Sequence, residues 1–338
     1  MLQKIEVKYN YAIDIIRSIL IISVILIHCS TKSLELVKYD FLGNFLTFYL
    51  NQATRFTVPL FFFISAFVLE LSHPQNLSFF PYIKQRFSKI FLPYLFWSAI
   101  YMYWVYPNPN GNFIFALLSG SASYQLYFIP ALFILYLIFP FIHNHIHFLK
   151  RKIFLIILGL LQILLLANDY YIHPLNLPQP IGVFLLNFDV YILGALASKY
   201  QNEILAFLKK YYIFLIIFVV FISLFITGEA WTLYRYTKNY LTFYSNWRPL
   251  AFIYSLAVGA LLFSTFNNIS HNFNIIKKIA SYSFFVYFIH IIYIEIIWKI
   301  LPNSLLSFTL IPFLIVTLVS YLSAFLIHKI PQISKITG

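Results

Sequence analysis

Ten apolar segments recur along the 338-residue chain, at residues 11–30, 48–71, 87–105, 126–142, 153–167, 183–197, 211–226, 250–266, 284–301 and 305–327. Apolar runs of this length are read as membrane-spanning helices. The expected fold is therefore all-α: a polytopic integral membrane protein with about ten transmembrane helices. Composition agrees, because 61% of residues are hydrophobic, 10% are charged, and Phe 39 and Tyr 27 exceed what a soluble core of this size needs.

Lysine and arginine test the segmentation independently. Fifteen of the 23 fall at the N-terminus (Lys4 and Lys8 among them), in the even-numbered connections and at the C-terminus. Six are counted on the other side, Lys32, Lys38, Arg55 near the outer start of the second segment, Arg235, Lys238 and Arg248, and Arg17 and Lys299 are counted to neither side. By the positive-inside rule both termini are cytoplasmic. The net charge of +13 is then mainly a topology signal, with contact to anionic lipid as a secondary gain. No nucleic-acid-binding motif is present, so nucleic acid is not an expected partner. Cys29 is the sole cysteine, which excludes an intrachain disulfide and a cysteine-based metal site. The first segment has no small-residue cleavage site and does not read as a removable signal peptide. No linker or repeat marks off a soluble unit, so residues 1–338 are expected to form one transmembrane domain.

Within the first segment, Arg17 and His28 are eleven residues apart, and Asp14 lies one turn before the arginine. At about 100° per residue, Arg17 and His28 fall within roughly 20° of one another around the helix, and Asp14 and His28 within roughly 40°. The stripe covers roughly 20 Å of helix axis. Ionisable groups at such depth face partners or water and mark a functional site by default. The plainer alternative is an Asp14–Arg17 structural ion pair with His28 capping the helix.

Other polar positions are weaker candidates. Lys84, Arg86 and Lys89 sit at the entry of the third segment, where they could hold phosphates or merely anchor the helix. In the second segment Pro59 frees backbone groups, with Ser65 and Glu70 as polar sites beyond it. Tyr127 stands near the mouth of the fourth, which Pro130 and Pro140 interrupt, and Asp189 is buried in the sixth. His290 and Glu295, about 140° apart on the ninth, serve different partners. His143, His145 and His147 could gather on one metal ion only as an extended strand, and no metal site is expected. P-loop, H-E-x-x-H, G-x-S-x-G, His-x-x-x-Asp and Asp-x-Asp signatures are missing, which argues against an ATPase, a zinc protease and a serine hydrolase.

Taken together the motifs resemble membrane acyltransferase family 3, integral O-acyltransferases of cell-surface carbohydrates. They are Arg17 and His28 with ten residues between them and Asp14 upstream; the run VPLFFFISAF at residues 58–67, with Ala66 where the family usually has glycine; Arg86-Phe-Ser-Lys89 followed by Pro93, where the family has Arg-x-x-Arg; the aromatic stretch at residues 126–140; Ser283, Tyr287 and His290; and the C-terminal HKIPQISKITG at residues 328–338. Lys89 keeps the charge but loses the guanidinium fork.

The resemblance implies an acyl-CoA donor, acetyl-CoA foremost and a succinyl donor as alternative, entering from the cytoplasm with its phosphates on Arg86, Lys89 and Lys84. It implies His28 as general base, with Asp14 and Arg17 paired and orienting the donor. A covalent acyl-histidine or acyl-Cys29 intermediate is the variant of this scheme, the cysteine being the weaker of the two, since Cys29 points roughly 100° away from His28. The acceptor would be a hydroxyl of an extracytoplasmic glycan or lipid-linked glycan, and the location the cell membrane, with lipid as surroundings. Two rivals stand beside it. One is a non-catalytic exporter or flippase of a polysaccharide intermediate. The other is a lipid-linked-sugar glycosyltransferase using Glu35 and Asp40.

Overall fold

The computed structural model describes residues 11–36, 41–73, 77–107, 111–172, 177–237, 239, 241–245, 248–267 and 274–338, and for 41–43 and 241 the backbone only. Lys4, Lys8, Lys38, Asp40 and Lys238 lie outside the described residues. In chain order the helices are α1 (Tyr11–Leu36), α2 (Phe41–Ala53), α3 (Thr57–Ser72), α4 (Phe79–Ile100), α5 (Phe113–Ser119), α6 (Phe128–Asn144), α7 (Ile146–Leu149), α8 (Lys152–Ala167), α9 (Gln179–Leu185), α10 (Phe188–Lys199), α11 (Gln201–Lys210), α12 (Tyr212–Thr237), α13 (Leu241–Tyr244), α14 (Pro249–Phe266), α15 (Asn274–Ile300), α16 (Asn303–Leu306), α17 (Leu310–Ile327) and α18 (Pro331–Thr337). π-helical turns extend α4 over Tyr101–Val105 and α8 over Asn168–Ile172.

Among the described residues, seven helical stretches are long and apolar enough to cross a membrane, or eight if α9 and α10, bent by 50° at their junction, count as one span. The chain is an all-α, multi-pass membrane protein. Each of the ten expected segments falls on a helix. The two that fall short as spans are α4, which carries Lys84, Arg86 and Lys89 in its first half, and α6, which has 17 residues.

Two expectations about local structure are corrected. The second segment does break, but at the turn 54–56, where Thr57 N–H donates to the Thr54 carbonyl at 3.2 Å. Pro59 lies in the first turn of α3, where helical N–H groups have no partner in any case, so it starts a helix and kinks nothing. Pro130 sits in the first turn of α6 in the same way, leaving Pro140 as the one proline inside that helix. The histidine triplet is helical rather than extended. His143 pairs with Glu70 at 2.7 Å, the His145 ring bonds to the Phe141 carbonyl at 2.9 Å, and the His147 ring to the Tyr200 hydroxyl at 2.9 Å. Three different partners pull the three rings apart.

α1 is the central helix, packing against α2, α3, α14, α15 and α17. One core joins it to α4 and α15 through Ile21, Val24, Tyr101, Phe285 and Phe288. Another joins α3, α6 and α10 through Phe62, Leu135, Phe139 and Tyr191. α3 and α10 touch so closely that a Cβ on Gly194 would stand 2.2 Å from the Phe63 carbonyl oxygen. The outer helices turn bare apolar side chains outward, such as Ile153, Leu160 and Leu164 on α8 and Phe214, Phe221 and Phe225 on α12. Those faces fit lipid, which needs no further partner. The C-terminal α18 folds back on α4, where Trp97 Nε1 donates to the Thr337 carbonyl at 2.8 Å.

Candidate functional site

α1 contributes Arg17, Val24, Ile27, His28 and Thr31 to one elongated cavity of about 670 Å³. Those positions repeat at the helical period, so a single stripe of α1 forms one wall. The other walls come from the turn 54–56, α3, α4, α6, the connection before α6, α15 and Tyr244. From Arg17 to His28 the wall rises about 16 Å along the axis. The membrane face at which α1 begins is termed proximal below, and the opposite face distal.

Arg17, Arg86, Lys89 and Tyr136 gather at the proximal end. The charges of Arg86 and Arg17 both act on the Tyr136 hydroxyl, which places the three together. The Arg86 guanidinium also lies 5.8 Å from the centre of the Tyr82 ring, and its Nε has no hydrogen-bond partner. Lys89 is exposed, so this end of the cavity reaches the surface.

Distally, the His28 ring packs between Tyr124, 5.2 Å between ring centres, and His290, 5.3 Å. Among the described residues no hydrogen bond engages its nitrogens. His290 is fully buried, with Nδ1 bonded to the Val286 carbonyl at 3.0 Å and Nε2 without a partner. Arg55, Thr57, Gln125 and Tyr244 line the same cavity as His28. A chain of polar groups that runs inward from the surface backs Arg55. Glu229 holds Arg248 at 2.5 Å and accepts from the Tyr171 hydroxyl at 2.7 Å. Arg248 donates to Gln52, Gln52 donates to Asn51 Oδ1 at 2.9 Å, and Asn51 accepts from Arg55.

Four cations line the cavity, Arg17, Arg55, Arg86 and Lys89, and no aspartate or glutamate does so among the described residues. A chamber of that charge favours an anionic, elongated ligand with room for apolar contact along Phe61, Ile64, Phe128 and Leu132. A profile described as an acyltransferase domain matches residues 10–329. The chain belongs to this acyltransferase family. Relatives include a protein of Staphylococcus aureus named a probable poly-beta-1,6-N-acetyl-D-glucosamine export protein, 26% identical over 313 residues, covering 87% of this chain and 84% of the relative. Another is a putative membrane-bound acyltransferase, YfiQ, of Bacillus subtilis, 24% identical over 262 residues, covering 73% and 70%. No solved structure matches the chain.

In this acyltransferase family member the anticipated residues divide. Arg17, His28, Ser65, Arg86, Lys89, Tyr127 and Tyr287 line the cavity, whereas Asp14, Glu70, Lys84, Asp189, His290 and Glu295 do not. Asp14 is buried at the edge of the α1 stripe, and among the described residues no ion pair joins it to Arg17. Lys84 is exposed on α4, two residues before Arg86 and off the lining. Glu70 is committed to His143, with Lys199 at 3.9 Å. Glu295 takes Lys32 at 3.1 Å and the Tyr106 hydroxyl at 3.0 Å. Burial, and after it the Glu295 carboxylate, pushes the Tyr106 phenol up, so it stays the donor in that bond. Asp189 is buried with Oδ1 unpartnered. The Ser65 hydroxyl is spent on the Phe61 carbonyl at 2.7 Å, and the Tyr287 hydroxyl on the Gln125 carbonyl at 2.5 Å. Cys29 is buried and off the lining.

Arg55, Tyr124, Gln125, Tyr136 and Tyr244 were not singled out from sequence as site residues. Arg55 carried a usable signal: an arginine inside an apolar segment is a functional candidate by default. Tyr124 and Gln125 carried none, since they lie in a connection whose packing is purely tertiary.

Proposed function

We propose that this protein is an O-acyltransferase that moves an acyl group, acetyl foremost, from cytoplasmic acyl-CoA to a hydroxyl of an extracytoplasmic glycan or lipid-linked glycan. The observation that carries the reading is the single cavity joining the Arg17, Arg86 and Lys89 cluster to His28, with no carboxylate on its described lining. In this reading α4 and α6 complete ten spans, both termini are cytoplasmic, and the whole chain is one domain. The proximal cations take the phosphates of the donor, with Lys84 assisting from the surface. The apolar middle of the cavity accommodates the extended arm, which brings the thioester to His28. The His28 imidazole, free of competing hydrogen bonds among the described residues, removes the proton from the acceptor hydroxyl as that oxygen attacks the thioester carbonyl. Arg17 orients the donor at the proximal end, and Asp14 supports α1 behind it. His290 packs against the back of the His28 ring and holds its plane.

The test is proteoliposomes bearing wild type or His28→Ala, supplied with radiolabelled acetyl-CoA or succinyl-CoA, with and without cell-envelope glycan or β-1,6-N-acetylglucosamine oligomers. Thioester consumption that requires His28, with label appearing in the glycan, is the expected result. The name of the Staphylococcus aureus relative favours a second reading, a glycan exporter. Folded wild type that consumes neither thioester, yet moves oligomers across the bilayer, would establish export and remove the transfer reading.

A further inference from the structure

Arg55 is 3% exposed, yet it lines the cavity that His28 also lines. Its level along α1 is fixed by its neighbours. Asn51, which accepts from the Arg55 guanidinium, donates through Nδ2 to Ser30 Oγ at 3.0 Å and Thr31 Oγ1 at 3.0 Å. Tyr244, whose carbonyl accepts a second guanidinium bond, donates its hydroxyl to the Thr31 carbonyl at 3.1 Å. Both anchors of Arg55 are thus tied to the turn of α1 that carries His28, and the charge of Arg55 acts on the His28 ring.

Charge accounting distinguishes Arg55 from its neighbour Arg248. Arg248 has the Glu229 carboxylate at 2.5 Å. Arg55 has no carboxylate partner among the described residues. Only neutral oxygens meet it, and they use two of the five N–H donors a guanidinium offers, leaving Nε unpartnered. A buried cation without an anion is unfavourable. It becomes favourable when negative charge arrives or develops beside it. Thr57 Oγ1 and Gln125 Nε2, on the same lining, are also buried without partners, so this wall is built to receive polar atoms that the protein itself does not supply.

We infer that Arg55 is a catalytic residue that holds the oxyanion formed when the acceptor hydroxyl adds to the thioester. The inference rests on the transfer reading above. Arg17 cannot fill this role, because it stands about 16 Å down the helix from His28. The acceptor oxygen forms a bond to the thioester carbon while its proton passes to the His28 imidazole. The carbonyl electron pair moves onto oxygen, beside the Arg55 guanidinium. Collapse restores the C=O bond and breaks the carbon–sulfur bond, and the departing thiolate takes the proton back from the His28 imidazolium. The products are the glycan ester and free CoA thiol. A preorganised donor aimed at charge that appears only in the transition state accelerates the step without tightening ground-state binding.

The test compares wild type, Arg55→Gln and Arg55→Lys for acetyl transfer to β-1,6-N-acetylglucosamine oligomers and for hydrolysis of acetyl-CoA without glycan. Loss of one oxyanion donor lowers kcat about 10²–10³-fold. Arg55→Gln is expected to fall by that much in both reactions with donor KM unchanged, because water and sugar attack the same carbonyl. A second readout needs no turnover: the infrared stretch of ¹³C-carbonyl acetyl-CoA bound to His28→Ala should shift down, and return toward its free value when Arg55→Gln is added. If the glutamine variant does not fold, His28→Ala/Arg55→Lys carries the infrared arm and should show a smaller shift. A wild-type kcat in Arg55→Gln, a loss confined to a raised glycan KM, or an unshifted carbonyl in His28→Ala would each overturn the assignment. Wild type that consumes no thioester would overturn the transfer reading itself, whereas an active wild type with an indifferent Arg55→Gln overturns only this one.

Discussion

At the proximal end, arginine and lysine are not equivalent. Arg86 is partly buried against Tyr82 with Nε unpartnered, so its fork is preorganised and still has donors to give. Lys89 is an exposed point charge on a flexible stem. If both hold donor phosphates, removing the Arg86 fork removes charge-assisted hydrogen bonds worth about 1.5–3 kcal/mol, or roughly ten- to a hundredfold in binding. Arg86→Gln should therefore raise the acyl-CoA KM by roughly that factor while leaving kcat at saturating donor near wild type. Lys89→Arg should lower the same KM a few-fold. Initial rates of thioester consumption against donor concentration check both. The opposite pattern, a kcat loss at unchanged KM, would move Arg86 from binding the donor to the chemistry. Lys84→Gln, which alters an exposed charge off the lining, should change donor KM by less than Arg86→Gln.

Among the helices, what was legible in sequence and what was not follow from distance along the chain. Arg17 and His28 could be placed on one stripe because the helical period fixes their relation within a single element. The multi-pass, all-α character was readable because lipid demands long apolar runs, and among the described residues seven or eight of the ten segments are long and apolar enough to span. Pro59 was misread as freeing backbone groups inside a helix because proline's effect depends on its position, and the start of α3 is set by the turn at 54–56, which leaves little trace in composition. Arg55 was counted with the distal-side charges. Only folding brings it Tyr244, 189 residues away. The α3–α10 contact, equally hidden, gives a stability prediction. A Cβ at Gly194 would meet the Phe63 backbone at 2.2 Å, and backbone cannot rotate aside. Gly194→Ala should destabilise the detergent-solubilised protein by about 1–3 kcal/mol or more through overpacking, lowering its thermal midpoint. Gly159→Ala, with nothing within 4 Å of the added carbon, should hold or raise it, since Ala favours a helix interior by about 1 kcal/mol. Equal behaviour of the two would mean that α3 and α10 are not in close backbone contact. Gly120, at φ +76°, is constrained for another reason: it ends α5 in the left-handed region and turns the chain into the connection that carries Tyr124 and Gln125.

For the molecule as a whole, the transfer reading requires the cavity to present its cation cluster to the cytoplasm and His28 toward the far side, so the path of α4 and α6 through the bilayer decides it. These two helices supply Arg86, Lys89, Phe128, Leu132 and Tyr136 to the lining, yet length and charge alone do not count them as spans. Their sidedness can be measured because the protein carries one natural cysteine, Cys29, which is 0% exposed and should give a silent background to a membrane-impermeant maleimide. Cysteine substitutions made one at a time at three exposed positions, with Cys29 kept, frame the question: Lys84 at the start of α4, Ser121 between α5 and α6, and Lys150 after α7. If α4 and α6 both cross, Ser121→Cys labels on intact cells, while Lys84→Cys and Lys150→Cys label only after permeabilisation. Lys335→Cys should behave like Lys84→Cys, and Tyr236→Cys, at the exposed end of α12, like Ser121→Cys. Ser121→Cys that labels only after permeabilisation would leave α4 and α6 on one side of the bilayer. The cavity would then open twice to the same compartment, and a donor taken from the cytoplasm could not be delivered through it to an external glycan.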